Sequence, residues 1–225
     1  MKNPWKHFLE QDSKDRFHDS DRSSAKAFNL AMVGRPKFQL AEHLEPFPYL
    51  GNPDAEVFVL LANPGKSGNE VKKTFKITPK KLRLSNQNLV LDGDDFSLRL
   101  HSPNNPELES PWVKSRTKKL VEEVGVDLVA NRLFLVNFHA YHSTSWYPIP
   151  FTFETQKYSF HLVEKAIRRG AIILMSRNTI GWSTAVPELT TYRWVYHFQS
   201  SRSVHISPKN LPRNVFSKLV QRLSS

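Results

Sequence analysis

Short apolar runs separated by longer polar stretches set the rhythm of this chain. Val57-Phe58-Val59-Leu60-Leu61 is continuous and stops at Asn63-Pro64-Gly65. A run of that length with a turn behind it predicts a strand buried on both faces, as in a parallel sheet. Leu133-Phe134-Leu135-Val136-Asn137 and Ala171-Ile172-Ile173-Leu174-Met175 repeat the pattern and predict a second and a third strand. A fourth falls either at 193–198 or at 203–206. Helical periodicity lies between the runs. Residues 111–124 open on Pro111 and end before Gly125, the positions these residues favour at helix ends. Residues 154–169 predict a second helix, closed by Gly170. Residues 212–223 predict a third, with Val215, Leu219, Val220 and Leu223 on one face. There Asn210 stands as the cap and Pro212 near the first turn.

Strands alternating with helices predict an α/β fold, a three-layer sandwich around a central, mainly parallel four-stranded sheet. Residues 46–225 make the single α/β domain. Residues 1–45 are expected to be an arm or helix packed on it. Its first 25 residues are polar, with Trp5, Phe8, Leu9 and Phe17 at loosely helical spacing, as in a surface helix. Residues 25–50 carry Pro36, Pro46 and Pro48 among aromatics and read as an extended segment laid over the core. Residues 66–110 are polar, with a hairpin signal at Asp92-Gly93-Asp94.

Ligands of parallel α/β sheets gather beyond the carboxyl ends of the strands. The residues standing there are Asn63, then Asn137 with His139 and His142, then Ser176 with Arg177, then His205 with Ser207. Gly65-Lys66-Ser67 suggests a phosphate loop, but the first glycine of G-x-x-x-x-G-K-[ST] would fall at Leu60, inside a strand. His139 and His142 have a metal-like spacing, yet no acid lies between Asp127 and Glu154 to complete a site. No G-x-S-x-G elbow is present, which disfavours a serine hydrolase. No Asp or Glu closes a predicted strand, so paired glycosidase carboxylates cannot be chosen.

Charge sharpens the picture. The 225 residues hold 32 Lys and Arg against 21 Asp and Glu, a net charge of +11. Seven of those bases and one acid fall in 66–83, whereas the first 30 residues are nearly balanced, with six bases and five acids. Such clustering predicts a polyanionic partner, with Lys66, Lys72 and Lys73 among the contacts. The chain has no cysteine, which excludes a disulfide framework, a thiolate zinc site, an iron–sulfur cluster and a cysteine nucleophile. No apolar run follows the basic start and no window of 18 apolar residues occurs. The expectation is a cytoplasmic, membrane-free monomer without metal or cofactor.

Taken in order, three segments resemble the motifs of the uracil-DNA glycosylase superfamily, most nearly its mismatch-specific and single-strand-selective branches. The G-x-N-P-G motif that ends the first strand is matched by Ala62-Asn63-Pro64-Gly65, approached through Tyr49-Leu50-Gly51-Asn52-Pro53-Asp54-Ala55. Leu135-Val136-Asn137 matches a central strand ending in Asn. His205-Ile206-Ser207-Pro208 matches H-P-S-P, with Ile206 in place of a proline. The similarity spans 48–216 and leaves 66–110 without a counterpart, and the absence of cysteine excludes the iron–sulfur branches.

The resemblance implies hydrolysis of the N-glycosidic bond of uracil or a related base in DNA. Asn63 would orient water at a cation-like sugar, and His205 would donate to the base oxygen as charge grows there. Asn137 would pair with the base edge and Phe75 would stack on the flipped base. Leu211 would fill the vacated stack, with Ser207, Lys209 and Arg213 along the DNA backbone. The alternative is a protein of the same fold that binds nucleic acid or a nucleotide with altered or lost chemistry. A third class is a small-molecule enzyme or interaction module whose charge is incidental.

Overall fold

A computed structural model describes residues 1–10, 15–65, 91, 110–200 and 202–225. The described residues form an α/β structure around a five-stranded, mostly parallel sheet. The strands are β1 (Tyr49–Gly51), β2 (Val57–Leu61), β3 (Leu133–Asn137), β4 (Ile172–Met175) and β5 (Val195–His197), in the order β1-β3-β2-β4-β5. β2 pairs parallel with β4, Val57 opposite Ile172, and β4 with β5, Ile173 opposite Val195. Every residue of β3 and β4 is buried, as is β2 through Leu60. Continuous burial is what a run without polar alternation requires.

The helices are α1 (Asp19–Ala31), α2 (Pro111–Val124), α3 (Val126–Arg132), α4 (Gln156–Arg168), α5 (Thr179–Ala185) and α6 (Val215–Ser224). The Ser110 hydroxyl caps α2 by accepting from the Val113 N–H, with Pro111 in its first turn. The chain divides into two compact units. One comprises Met1–Tyr49, Ala62–Asp92 and Asn137–His161; the other comprises Leu50–Leu61, Gly93–Val136 and Leu162–Ser225.

The first unit holds an aromatic core of Phe17, Phe28, Tyr141 and Phe153 with Ala25, Met32 and Leu40. Trp5 and Phe8, expected on a surface helix, are buried on a 3-10 turn over Pro4–Glu10. Residues 25–31, expected to be extended, belong to α1. That helix turns inward the face carrying Asp21, Ala25 and Phe28. Asp21 is fully buried, and its carboxylate accepts from the Tyr141 hydroxyl (2.7 Å), the Thr155 hydroxyl (2.5 Å) and the Thr155 N–H (3.2 Å). Burial, followed by the Asp21 charge, pushes the Tyr141 hydroxyl well above its ordinary range and keeps it a donor.

In the second unit α6 packs along α2 and α3. It is fastened by Arg132 to the Leu223 carbonyl (3.0 Å) and by Arg222 to the Gly170 carbonyl (2.7 Å). The Trp182 indole of α5 is buried and donates to the Leu61 carbonyl at the end of β2 (2.9 Å). The sheet has five strands rather than four because Tyr49–Gly51 adds a short buried one. Val195–His197 supplies the strand expected at 193–198, and 203–206 forms loop. The hairpin signal at 92–94 lies outside the described residues.

Candidate functional site

Two of the expected residues, Asn63 and Asn137, fall in the first unit, Asn63 two residues after β2 and Asn137 as the last residue of β3. The chain after β2 continues beside the chain after β3. His139 donates its N–H to the Ala62 carbonyl (3.3 Å), Ser143 donates to the Pro64 carbonyl (3.4 Å), and Gly65 bridges Ser143 in parallel. Asn63 is half-buried in this strip. Its Nδ2 donates to Ser143 Oγ (2.8 Å), with the Pro64 carbonyl at 3.2 Å and the Tyr141 carbonyl at 3.4 Å. These bonds orient the amide and all use its nitrogen. Among the described residues nothing donates to Asn63 Oδ1, so the acceptor remains for an incoming O–H or N–H.

Asn137 closes β3 and is 2% exposed. Its backbone N–H donates to the Pro48 carbonyl (2.7 Å) and its Nδ2 to the Phe47 carbonyl (2.8 Å). Its Oδ1 is buried and has no hydrogen-bond partner among the described residues. An orphaned buried acceptor costs about 1–3 kcal/mol. A buried acceptor in that state, at the carboxyl end of a central strand, can take a hydrogen bond from an incoming donor. The paired reading expected of Asn137 therefore reduces here to its carbonyl, because Phe47 already engages its nitrogen.

His139 is a core residue. It is 2% exposed, its Nδ1 accepts the Tyr141 N–H (3.3 Å), and its ring stacks on Trp146 at 5.4 Å. Burial, then the neighbouring His142, brings its pKa down to about 3, so it is neutral at ordinary pH. His142 turns its Nδ1 to the Gly65 carbonyl instead (2.9 Å).

The second unit holds the other described candidates on the loop between β5 and α6. His205 is clamped to α2. Its Nδ1 lies 3.0 Å from the Ser115 carbonyl, and its Nε2 meets the Arg116 guanidinium. One tautomer satisfies both contacts, with Nδ1 donating and Nε2 accepting. His205 thus has no free N–H for a base oxygen, and the donor role expected of it is not met in this arrangement. Leu211, expected as a wedge, is fully buried. A wedge must reach the stack, whereas this side chain is enclosed by the protein. Leu211→Ala is expected to lower stability by about 3 kcal/mol through the cavity it leaves. Chemical denaturation of the variant checks this.

Asn210 is not the cap of the last helix. Its Nδ2 donates to the Ser203 (3.1 Å) and His205 (3.0 Å) carbonyls, and its Oδ1 accepts the Ser200 N–H (3.0 Å). The capping position goes to Asn214. The Ser207 carbonyl accepts the N–H groups of Asn210 and Leu211, closing the turn that carries Lys209. Lys209 and Arg213 are exposed. Lys66, Lys72, Lys73 and Phe75 lie outside the described residues.

No protein-family model, curated protein or solved structure matches this chain. What the site can do follows from its own geometry. Ser143 in the first unit and Arg116 in the second escaped sequence reasoning. Each acts on a partner distant in sequence, Ser143 on Asn63 and Arg116 on His205. Among the described residues no three His, Asp or Glu converge as metal ligands, and no helix is long and apolar enough to cross a membrane.

Proposed function

We propose that this chain binds DNA and hydrolyses the N-glycosidic bond of uracil or a related base. The carrying observation is the strand-end pair in the first unit. Asn63 has its nitrogen tethered and its carbonyl free, and Asn137 closes the neighbouring strand with a buried carbonyl lacking a donor. In this reading Asn63 Oδ1 accepts a hydrogen of water whose oxygen bonds to the anomeric carbon. The bond from that carbon to the base nitrogen breaks, its electrons leave with the base, and the water proton goes to the base or solvent. The products are the free base and an abasic sugar. Asn137 Oδ1 accepts an N–H of the base edge. The mostly parallel sheet is compatible with the three-layer sandwich of the uracil-DNA glycosylase superfamily, and the order of the Asn63, Asn137 and His205 segments supports that assignment.

A second reading, nucleic-acid binding without this hydrolysis, is favoured by the lock on His205, which removes the expected donor to the leaving base. Single-turnover base release separates the two, measured on single- and double-stranded oligonucleotides carrying uracil and other lesions. Release from any substrate supports the first reading. Binding without release across the panel supports the second.

Either reading expects salt-sensitive binding. The affinity of the parent protein should fall steeply between 50 and 200 mM salt, the behaviour of phosphate contacts that release counterions. Reversing Lys72 and Lys73 to Glu should weaken binding alike across sequences, lowering the slope of log affinity against log salt by about one for each phosphate no longer neutralised. Anisotropy titrations over a salt series measure both. An affinity independent of salt would leave the net charge of +11 as a solubility feature.

A further inference from the structure

The second unit carries a charged surface that the strand-end amides do not explain. After Glu188 the chain holds six Lys or Arg and no Asp or Glu. Part of this acid-free segment is docked on the start of α2. The Ile206 N–H donates to the Arg116 carbonyl (2.9 Å), and His205 holds both the Ser115 carbonyl and the Arg116 guanidinium. One turn earlier on α2, Trp112 is 42% exposed. The Arg116 guanidinium lies over its ring, 5.7 Å from the centroid. An arginine on an aromatic face fixes the ring's orientation and adds positive charge beside it. The acids of α2, Glu122 and Glu123, stand at its far end, and Glu122 is paired with Lys119.

We propose that the start of α2 and the 202–213 loop form a binding surface for single-stranded nucleic acid, with an unpaired base stacked on Trp112 and phosphates met by Arg116, Arg202, Lys209 and Arg213. An exposed indole set among cations matches the two demands of a single strand, a flat apolar surface for a base and positive charge for the backbone. A duplex offers the same phosphates but keeps its bases stacked and makes no use of the ring. An anionic membrane would need more apolar surface than the position gives. α2 presents Lys114, Ser115 and Lys118 to solvent around Trp112, and a membrane-lying helix needs a continuous apolar face. The inference rests on the nucleic-acid half of the proposed function and not on its hydrolytic half.

The test compares the full chain with Trp112→Ala and Trp112→Phe. Each is titrated by anisotropy against a labelled lesion-free oligothymidine, a duplex of equal length, and vesicles of phosphatidylserine and phosphatidylcholine. Trp112→Ala is expected to weaken single-strand binding by about 5- to 100-fold, the scale of one lost base stack, and to leave duplex binding nearly unchanged. Trp112→Phe should recover most of the loss, which a purely structural role for the indole would not produce. Equal single-strand affinity of Trp112→Ala and parent overturns the proposal, as does vesicle binding that depends on Trp112 without oligonucleotide binding. Base release is scored separately on the parent. An unaffected Trp112→Ala in a protein that excises bases removes this surface and keeps the proposed function. A Trp112-dependent single-strand affinity without excision does the reverse.

Discussion

Acidification from pH 6.5 to 4.5 is expected to cost the protein about 2–3 kcal/mol of stability through one side chain, His139. The residue is buried, accepts the Tyr141 N–H and stacks on Trp146. Its folded pKa is about 3, pushed down by burial and then by His142. An unfolded histidine titrates near ~6.5. Between those values the unfolded chain takes up a proton that the folded chain refuses. Stability therefore falls as pH falls, by about 1.4 kcal/mol for each pH unit, until the folded pKa is reached. Above about pH 6.5 both states are neutral at this position and the effect vanishes.

His139→Phe keeps a ring against Trp146 and removes the titration. It also removes the acceptor of the Tyr141 N–H, so a uniform loss of about 1–2 kcal/mol is expected at every pH. Urea unfolding of parent and variant at pH 7.0, 5.5 and 4.5 separates the two effects. The curves should approach each other as the pH falls, meet near pH ~5.5 and cross by pH ~4.5, where the variant becomes the more stable. Parallel curves would mean that the buried imidazole is not what makes the fold acid-sensitive.

The sheet was largely legible in the sequence because its middle strands are buried on both faces. VFVLL, LFLVN and IILM carry no polar alternation, and each ends at a residue that breaks the run. α2 was legible from Pro111 at one end and Gly125 at the other. What escaped reading has two physical causes, a decisive partner far away in the chain or a local pattern too short or too weak to register. α1 was hidden because its inward face carries Asp21, a carboxylate tolerated there only because Tyr141 and Thr155 supply donors. β1 is three residues long and follows a proline, so its pattern is too short to register. α5 contains Gly181, which weakens its helical signal. A Cβ there would lie 2.4 Å from Asn178 Nδ2, so glycine leaves room for that side chain.

The site divides the same way. Asn63 and Asn137 could be found because strand ends can be found. The engagement of His205 with α2 could not, since it depends on how a loop settles against a helix about ninety residues earlier in the chain.

Asn63→Ala is expected to abolish most turnover while nucleic-acid affinity stays near that of the parent. If Asn63 Oδ1 orients the attacking water, its removal should lower the single-turnover rate of base release by about 10²–10³-fold, the scale of one preorganised polar group. The same substitution has a structural cost, because Ser143 Oγ and the Tyr141 carbonyl lose a donor. That loss should amount to about 1–2 kcal/mol, small enough to leave a folded protein when measured at moderate temperature. Melting temperature, affinity for the same oligonucleotide and single-turnover rate are measured on one preparation. Ser143→Ala provides the contrast, since it removes the tether from Asn63 Nδ2 while leaving Oδ1 in place. It should share the structural cost and lose less rate. Two equally impaired rates would mean that the strip joining 62–65 to 139–143 matters as a unit. A variant of Asn63 that melts lower yet releases base at the parental rate would make the amide a turn-closing residue and leave the water without an orienting group there.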